Sequence, residues 1–174
     1  MCPASSASQG EATRLLERPR EAPTFRVRTL DGRQLSLPDL IARGPVVLDF
    51  WATWCKPCVA SLPELEAIHQ RMAARGVTVL GVSVDGPRNF ARVRPFVNRL
   101  GLHYPIALDE DGTLQERYQV SAVPTTIVIG RDRRILLLHQ GYDAGWRATV
   151  ERALRSEIGP DSAATPAQPE SADS

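Results

Sequence analysis

The sequence is poor in several features that would assign it to a specialised class of protein. Its 174 residues carry 21 basic and 20 acidic side chains, so the basic excess of nucleic-acid-binding and membrane-surface proteins is missing. No apolar run approaches the roughly eighteen residues of a membrane-spanning helix. Three cysteines are too few for a scaffold held together by disulfides. These absences leave a soluble α/β enzyme or binding domain that is long enough to bury a core.

Lysine is the scarcest charged residue, and its position is informative. The only lysine among the 21 basic residues is Lys56, which stands between Cys55 and Cys58. Coding bias explains an excess of arginine, but it does not explain where the single lysine lies.

The two ends of the chain differ in composition from its middle. Residues 1–20 are small, polar and charged, and residues 159–174 are rich in proline, alanine, serine and acidic residues. Such segments lack the apolar area that would offset the entropy lost on ordering. We therefore predict a disordered arm, a folded domain over residues 21–158 and a disordered tail.

The beginning of the sequence bears on the location of the protein. A charged start followed by an apolar stretch is missing, so the chain as written predicts no signal peptide and a cytoplasmic location. Cys2, which small residues follow, has two interpretations. It is either the lipid-bearing cysteine of an exported lipoprotein or an inert thiol in a disordered arm.

Strand and helix patterns alternate along the middle of the chain. Two extended runs around Asp31-Gly32, within residues 25–37, predict a hairpin. Apolar runs and helical periodicity predict strands at 45–51, 77–84, 105–108, 125–129 and 135–139, and helices at 58–75, 90–100, 113–118 and 146–158. A β-α-β section followed by a β-β-α section requires a mixed central sheet with helices on both faces.

The chemistry is concentrated in the segment Trp54-Cys55-Lys56-Pro57-Cys58, which follows a predicted buried strand and opens a helix. A thiolate at a helix N-terminus is stabilised by unpaired N–H groups and by the helix dipole, and the Lys56 ammonium adds to both. Two intervening residues bring the sulfurs within bonding range. We predict that Cys55 attacks a substrate disulfide, that Cys58 resolves the mixed disulfide, and that Pro57 stiffens the loop.

Two structural interpretations of the cysteine pair stand beside the redox one. A zinc site would need four ligands, and beyond the pair only Cys2 and three scattered histidines are present. The other interpretation is a pair of inert core cysteines. We adopt a redox-active pair without a metal, because a position directly after a buried strand, at the start of a helix, activates a thiol.

Asp49 is a lone carboxylate within an apolar strand, where a buried charge is costly unless it has a partner or a function. Strand alternation puts Val47, Asp49 and Trp51 on one face. We predict that Asp49 lies beneath the cysteine pair, that burial raises its pKa, and that it exchanges a proton with Cys58. The alternative is a carboxylate paired with an arginine.

Together these motifs resemble the thioredoxin superfamily, and within it the TlpA/ResA-like thiol–disulfide oxidoreductases, which are related to the redoxin (AhpC/TSA) family. The resemblance covers residues 22–158 and extends to residues 22–25, to the Asp31-Gly32 hairpin and to Val123-Pro124-Thr125. It implies an α/β, thioredoxin-like fold. In that fold a mixed central sheet has helices on both faces, an N-terminal hairpin and a central helical insertion at 90–100.

The resemblance also implies how a substrate is held. In the family, the proline that matches Pro124 has a cis bond and faces the disulfide, although local sequence alone favours a trans bond. The backbone beside it, at Val123 here, pairs with the substrate peptide, and Thr125 is predicted to belong to the same substrate-binding segment. With this rim, Trp54 is predicted to form the docking surface.

The sequence departs from its presumed relatives at three positions. Asp49 matches the buried acid of thioredoxins, where many TlpA-like members have asparagine. Ser61 stands where many members carry glutamate, so that glutamate's role does not transfer. Lys56 replaces the glycine of thioredoxins and the glutamate of ResA-like proteins, which leaves the reduction potential open.

We therefore predict a monomeric reductase that exchanges disulfides with a client protein, takes electrons from an upstream donor and needs no bound cofactor. A redoxin-family peroxidase would need threonine and proline where the chain has Ala52 and Leu48. A copper-handling protein would have three residues between its cysteines instead of two, although His139 is available as a ligand. The family is commonly exported or membrane-tethered in bacteria, which disagrees with the absence of an export signal.

Overall fold

The computed structural model describes residues 20–159, so Cys2 and nearly all of the predicted arm and tail lie outside the described residues. The strands are β1 (Arg26–Arg28), β2 (Gln34–Ser36), β3 (Val46–Trp51), β4 (Thr78–Ser83), β5 (Ile106–Leu108), β6 (Thr125–Ile129) and β7 (Ile135–Gln140). The helices are α1 (Leu37–Arg43), α2 (Lys56–Met72), α3 (Phe90–Leu100), α4 (Thr113–Tyr118) and α5 (Trp146–Ile158). Within residues 20–159, no helix is both long and apolar enough to span a membrane.

The central sheet has five strands in the order β5-β4-β3-β6-β7. Strand β3 lies in the middle, parallel to β4 and antiparallel to β6. Strands β4 and β5 are parallel, whereas β6 and β7 are antiparallel. The predicted mixed sheet is therefore confirmed, with its parallel part early in the chain and its antiparallel part late.

Side chains of β3 contribute alternately to two buried clusters, one on each face of the sheet. Val47 and Trp51 belong to the cluster that includes α2, α3 and α5. Val46, Leu48 and Phe50 belong to the cluster that includes α1 and α4. All six residues of the strand are buried, which explains the nearly continuous apolar run seen in the sequence.

The N-terminal segment covers both edges of the sheet. At one edge, Glu21 bridges to Arg134 at the start of β7, and the Ala22 N–H donates to the Arg133 carbonyl. At the other edge, Thr29 bridges to Ala107 of β5. Residues 20–30 therefore cross the molecule from β7 to β5.

Two details of the helices differ from the sequence prediction. Helix α2 begins at Lys56 rather than Cys58, because a proline in the first turn does not interrupt a helix. Helix α1 was not predicted. Its start is capped by Ser36, whose hydroxyl accepts the Asp39 N–H, with Pro38 in the first turn. This serine–proline–aspartate pattern is a recognisable helix start.

Gly81 of β4 is required by close packing rather than by a turn. A Cβ atom at this position would lie 2.7 Å from Ile106 Cδ1 and 3.1 Å from both Trp51 Nε1 and Tyr104 Cε2. The absence of a side chain therefore lets these three groups meet over the sheet, next to the register position of Asp49.

We expect the substitution Gly81→Ala to lower the free energy of unfolding by about 1–3 kcal/mol, because an added methyl overpacks a buried site. Urea unfolding of the purified protein measures the change. Gly145→Ala is the control, since Gly145 has φ −92° and its added methyl would meet only the end of the Asp143 side chain. Equal stabilities of Gly81→Ala and wild type would contradict this account of the packing.

Candidate active site

The two cysteines lie where the buried strand β3 gives way to helix α2. They form a disulfide, with their Cα atoms 5.3 Å apart. Cys55 is the N-cap of α2, and its sulfur accepts the Cys58 N–H at 3.3 Å. Cys55 is 5% exposed and Cys58 is 0% exposed, so both residues are buried in the disulfide form, and the predicted nucleophile is the one that keeps some contact with solvent.

A carboxylate that lies just after the neighbouring strand β4 holds the loop that leads into Cys55. Both oxygens of Asp85 accept the Thr53 N–H at 3.1 Å, and Asp85 also accepts the Thr53 hydroxyl. Ser83 donates to the same carboxylate at 2.8 Å. Sequence reasoning missed this anchor, because nothing in the local pattern shows that Asp85 reaches back across the sheet to residue 53.

The surface beside the disulfide is partly apolar. Trp54 is 63% exposed and Val59 is 37% exposed. These two are the exposed large hydrophobic side chains within residues 20–159. Helical periodicity groups Val59 with the apolar positions Leu62 and Leu65, yet Val59 lies on the solvent side of α2, whereas Leu62 and Leu65 are buried. Lys56 and Pro57 are also exposed.

The segment that precedes β6 has the geometry that the resemblance implied. The Val123–Pro124 peptide bond is cis, and Pro124 is buried. Val123 is partly buried and packs against the cluster that contains both cysteines. The Thr125 hydroxyl donates to the Ala122 carbonyl at 2.7 Å. The functions of these residues in substrate binding stay a prediction.

Asp49 is fully buried, and its partner is a threonine rather than the arginine of the alternative interpretation. The Thr126 hydroxyl donates to Asp49 Oδ1 at 2.7 Å and itself accepts the Trp146 indole N–H at 3.1 Å. Burial raises the pKa of Asp49 to about 7, although the hydrogen bond from Thr126 opposes this rise. The carboxyl group therefore changes its protonation near neutral pH.

The register of β3 shows which layer Asp49 faces. Val47 and Trp51, two positions away on either side, belong to the buried cluster that also contains Cys55 and Cys58. Because side chains alternate along a strand, Asp49 points into the same layer. Its predicted place on the cysteine side of the sheet is thus consistent with the structure, and its function in proton transfer stays a prediction.

Two further residues from the sequence analysis have local partners. The Ser61 hydroxyl donates to the Cys58 carbonyl at 3.1 Å. A serine supplies no carboxylic acid at this position, where many family members have glutamate. His139 Nε2 lies 3.4 Å from the Asp143 carboxylate. Among residues 20–159, no group of three or more histidine, cysteine and acidic side chains is arranged to hold a metal ion. The copper-handling alternative therefore gains no support from the described part of the chain.

Comparison with known proteins assigns the chain to a family. The family model of AhpC/TSA matches residues 19–137, which is more than half of the sequence. The chain belongs to the AhpC/TSA family. Within this family, the thiol–disulfide oxidoreductase ResA of Bacillus anthracis is 34% identical over 117 residues. That match covers 67% of this chain and 66% of the ResA chain, or just under two thirds of its length.

Other members and a solved structure extend the comparison. ResA of Geobacillus kaustophilus is 33% identical over 135 residues, which cover 78% of this chain and 75% of the relative. A structure from Chlorobium tepidum, assigned as the thiol:disulfide interchange protein DsbE, superposes with a TM-score of 0.75 at 28% identity. The superposition covers 83% of this chain and 99% of the Chlorobium tepidum chain. The predicted family and thioredoxin-like fold are confirmed, and these relatives agree with the predicted class, thiol–disulfide oxidoreductase.

The raised pKa of Asp49 predicts how stability depends on pH. The folded protein holds the proton of Asp49 up to about pH 7, whereas the unfolded chain releases it near 3.8. Between these values the folded state binds the extra proton, so the contribution to stability is complete below about pH 3.8 and is lost as the pH rises to about 7. At about 1.4 kcal/mol per pKa unit, the loss approaches about 4 kcal/mol.

We therefore expect the oxidised Asp49→Asn variant to gain stability over wild type progressively between pH 4 and pH 7 and to stay more stable above that range. Urea unfolding at a series of pH values measures the difference. Asp132→Asn removes an exposed carboxylate and should reproduce the pH dependence of wild type. Parallel curves for wild type and Asp49→Asn would show that Asp49 is not a raised, buried acid.

Proposed function

We propose that this chain is a thiol–disulfide oxidoreductase that reduces disulfide bonds of client proteins through Cys55 and Cys58. The observation that carries the proposal is the combination of a disulfide at the N-terminus of α2 with a buried, titrating acid on the same side of the sheet. The helix N-terminus supplies a reactive sulfur, and the acid supplies a place for the proton that thiol–disulfide exchange must move.

The first step uses Cys55 as the nucleophile. In the reduced protein its thiolate attacks one sulfur of the client disulfide, a new bond to Cys55 forms, and the other client sulfur leaves as a thiolate that takes a proton from water. The N–H of Cys58 that reaches the Cys55 sulfur favours the thiolate form. The exposed Lys56 ammonium, next in sequence, acts in the same direction.

The second step uses Cys58 and Asp49. Cys58 transfers its proton to the Asp49 carboxylate and attacks the Cys55 sulfur, and the first client sulfur leaves as a thiolate. Two electrons have then passed from the cysteine pair to the client, and the protein holds its disulfide. A pKa of about 7 suits this exchange, because the acid accepts and returns a proton near neutral pH.

The surroundings of Cys55 favour the reducing direction. A strongly oxidising pair requires a reduced form whose thiolate is highly stabilised. Here the Cys55 sulfur receives one backbone hydrogen bond from Cys58, and the nearest cation in sequence, Lys56, is exposed to water. A buried carboxylate on the same side of the sheet opposes a second negative charge. An upstream electron donor must then return the disulfide to the dithiol.

The client is recognised by the rim around the disulfide. Trp54 offers an exposed apolar ring, and the backbone at Val123, beside cis-Pro124, is the part of this segment that would pair with an extended peptide. Thr125 supports it from within β6, where it pairs with both β3 and β7. Aromatic anchors with neighbouring backbone hydrogen bonds are typical of peptide-binding surfaces. This arrangement favours a peptide disulfide over a small molecule.

Measurement of the reduction potential tests the direction. We expect equilibration of the Cys55–Cys58 pair with thiol buffers to give a value near or below about −270 mV, the range of thioredoxin. A value of about −120 to −180 mV would contradict the reductase function and indicate an oxidant or an isomerase. Failure to form a reversible disulfide would overturn the proposal as a whole.

Cysteine variants test the assigned order of attack. We expect Cys58→Ser to accumulate a mixed disulfide with a reducible protein such as insulin, because the first step proceeds and the resolving thiol is missing. Non-reducing electrophoresis and mass spectrometry identify the adduct and its attachment at Cys55. Cys55→Ser is the matched control and should trap at least tenfold less. Equal trapping by both variants would contradict the assignment of the nucleophile.

The docking function of Trp54 is tested by comparing two substrates. We expect Trp54→Ala to raise KM for a protein disulfide about tenfold, which corresponds to about 1.4 kcal/mol of lost binding. Turnover of a small disulfide, which does not reach the rim, should change less than twofold. Val59→Ala serves as a second apolar truncation on the same exposed turn. An unchanged KM for protein substrates in Trp54→Ala would remove this residue from the docking surface.

A further inference from the structure

Several buried polar atoms meet around Gly81 without a hydrogen-bond partner. Within the described residues, Asp49 Oδ2, Trp51 Nε1, His69 Nδ1 and Tyr104 Oη are buried and unpaired. A buried polar atom without a partner is costly, and such atoms are commonly satisfied by internal water. Asp49 and Trp51 lie on β3, His69 lies on α2, and Tyr104 lies in the segment before β5.

The packing over Gly81 brings the Trp51 and Tyr104 side chains together. Gly81 is the register partner of Asp49, so the space above it adjoins the Asp49 carboxyl. Trp51 Nε1 and Tyr104 Cε2 each lie 3.1 Å from the position that a Gly81 side chain would occupy. The His69 ring meets the Tyr104 ring edge-on, with 6.1 Å between centroids. Trp51 Nε1 and the Tyr104 ring therefore meet over Gly81, beside the strand position of Asp49, and the charge of Asp49 contributes to the raised pKa of Tyr104.

Tyr104 connects this place with the surface. It is 2% exposed, yet it also lines a cavity of about 140 Å³ together with His103 and the exposed Arg94. The carboxylate of Glu66 accepts the backbone N–H of His103 at 2.7 Å, and it lies 2.9 Å from Nδ1 of the His103 ring. The His103 side chain is 72% exposed.

Trp51 and Tyr104 differ in the hydrogen bonds that they can make. The indole of Trp51 only donates, whereas the hydroxyl of Tyr104 donates one proton and accepts another. Burial, and then the charges of Asp49 and Glu66, raise the pKa of Tyr104 well above its usual value. The tyrosine therefore stays neutral, and it passes protons without holding a charge.

We propose that Tyr104 is a positioning residue in a buried, water-bridged proton route that connects Asp49 with the surface cavity at His103. The route rests on the proposed function, in which Asp49 takes the Cys58 proton. After each exchange the Asp49 carboxyl gives this proton to the bridging water, the water donates to Tyr104, and Tyr104 passes its own hydroxyl proton to water in the surface cavity that it lines with His103. One proton leaves for each client disulfide reduced, on the side of Asp49 away from the docking rim.

The titratable groups around Asp49 define what the pH profile reports. Cys58 belongs to the same buried cluster from α2, and His69 and Glu66 come from the same helix. His139 of β7 shares the face of Thr126 and Asp49 through the sheet register. Variants that change only Tyr104 separate its effect from these groups.

The test follows the two steps separately by stopped flow. The reduced protein reacts with an aromatic disulfide reagent that releases one coloured thiolate when Cys55 attacks and another when Cys58 resolves. We expect Tyr104→Phe to leave the first phase unchanged and to slow the second about tenfold, with a larger solvent isotope effect. We also expect the Asp49 titration, followed by carbon NMR, to move upward, because a donor that stabilises the carboxylate through water is lost.

Tyr118→Phe is the matched control. Tyr118 is a buried tyrosine on the opposite face of the sheet, and its hydroxyl donates to the Pro23 carbonyl at 2.6 Å. If Tyr104→Phe behaves like Tyr118→Phe in the second phase and in the Asp49 titration, while Asp49→Asn slows that phase, the route is wrong and the proposed function stands. If Asp49→Asn also leaves the second phase unchanged, the proton function of Asp49 fails with the route.

A high-resolution crystal structure of the wild-type protein gives an independent result. We expect an ordered water within hydrogen-bond distance of Asp49 Oδ2, Trp51 Nε1 and Tyr104 Oη. Direct, dry contact among these groups would overturn the route whatever the variants do.

Discussion

The burial of β3 on both faces is the constraint on which the rest of the site depends. The strand occupies the middle of the sheet, and the layers of helices above and below it leave none of its six residues in contact with water. The chain stays buried through Ala52 and reaches the surface at Thr53 and Trp54, just before it turns into α2. The cysteines therefore lie where the chain leaves the sheet, at the boundary between the core and the surface.

The same burial sets the chemistry of Asp49. A carboxyl in such a strand has no contact with bulk solvent, and the hydrogen bond from Thr126 offsets only part of the cost of a charge. The result is an acid whose two protonation states have similar free energies near neutral pH. A fully paired carboxylate would have made the fold more stable but would have held its charge, and it would then have exchanged no proton with Cys58.

Much of this arrangement was predicted from the sequence, and the reasons are local. A dicysteine motif at a helix start, a carboxylate in an apolar run and alternating strand and helix periods each have a direct meaning. The alternative of an arginine partner for Asp49 was wrong, because the pairing of β3 with β6 brings Thr126 to it. Register across a sheet depends on contacts between distant parts of the chain, and no local pattern reveals it.

The residues that sequence reasoning missed share this origin. Asp85, two residues after β4, holds the loop at Thr53, and Tyr104 packs close to the position of Asp49 because Gly81 has no side chain. Helix α1 is a different case, since its capping residues were readable in the sequence. Local rules thus identified the reacting groups, while the groups that orient them came from tertiary packing.

The N-terminal crossing has a consequence for the behaviour of the protein in concentrated solution. An uncovered outer strand presents unpaired backbone groups that recruit strands from other molecules, which is a common origin of aggregation. Residues 20–30 form backbone hydrogen bonds with part of each edge strand, β7 on one side and β5 on the other. One short stretch of chain therefore protects both edges of the sheet. If it detached, unpaired backbone groups of both edge strands would become exposed at the same time.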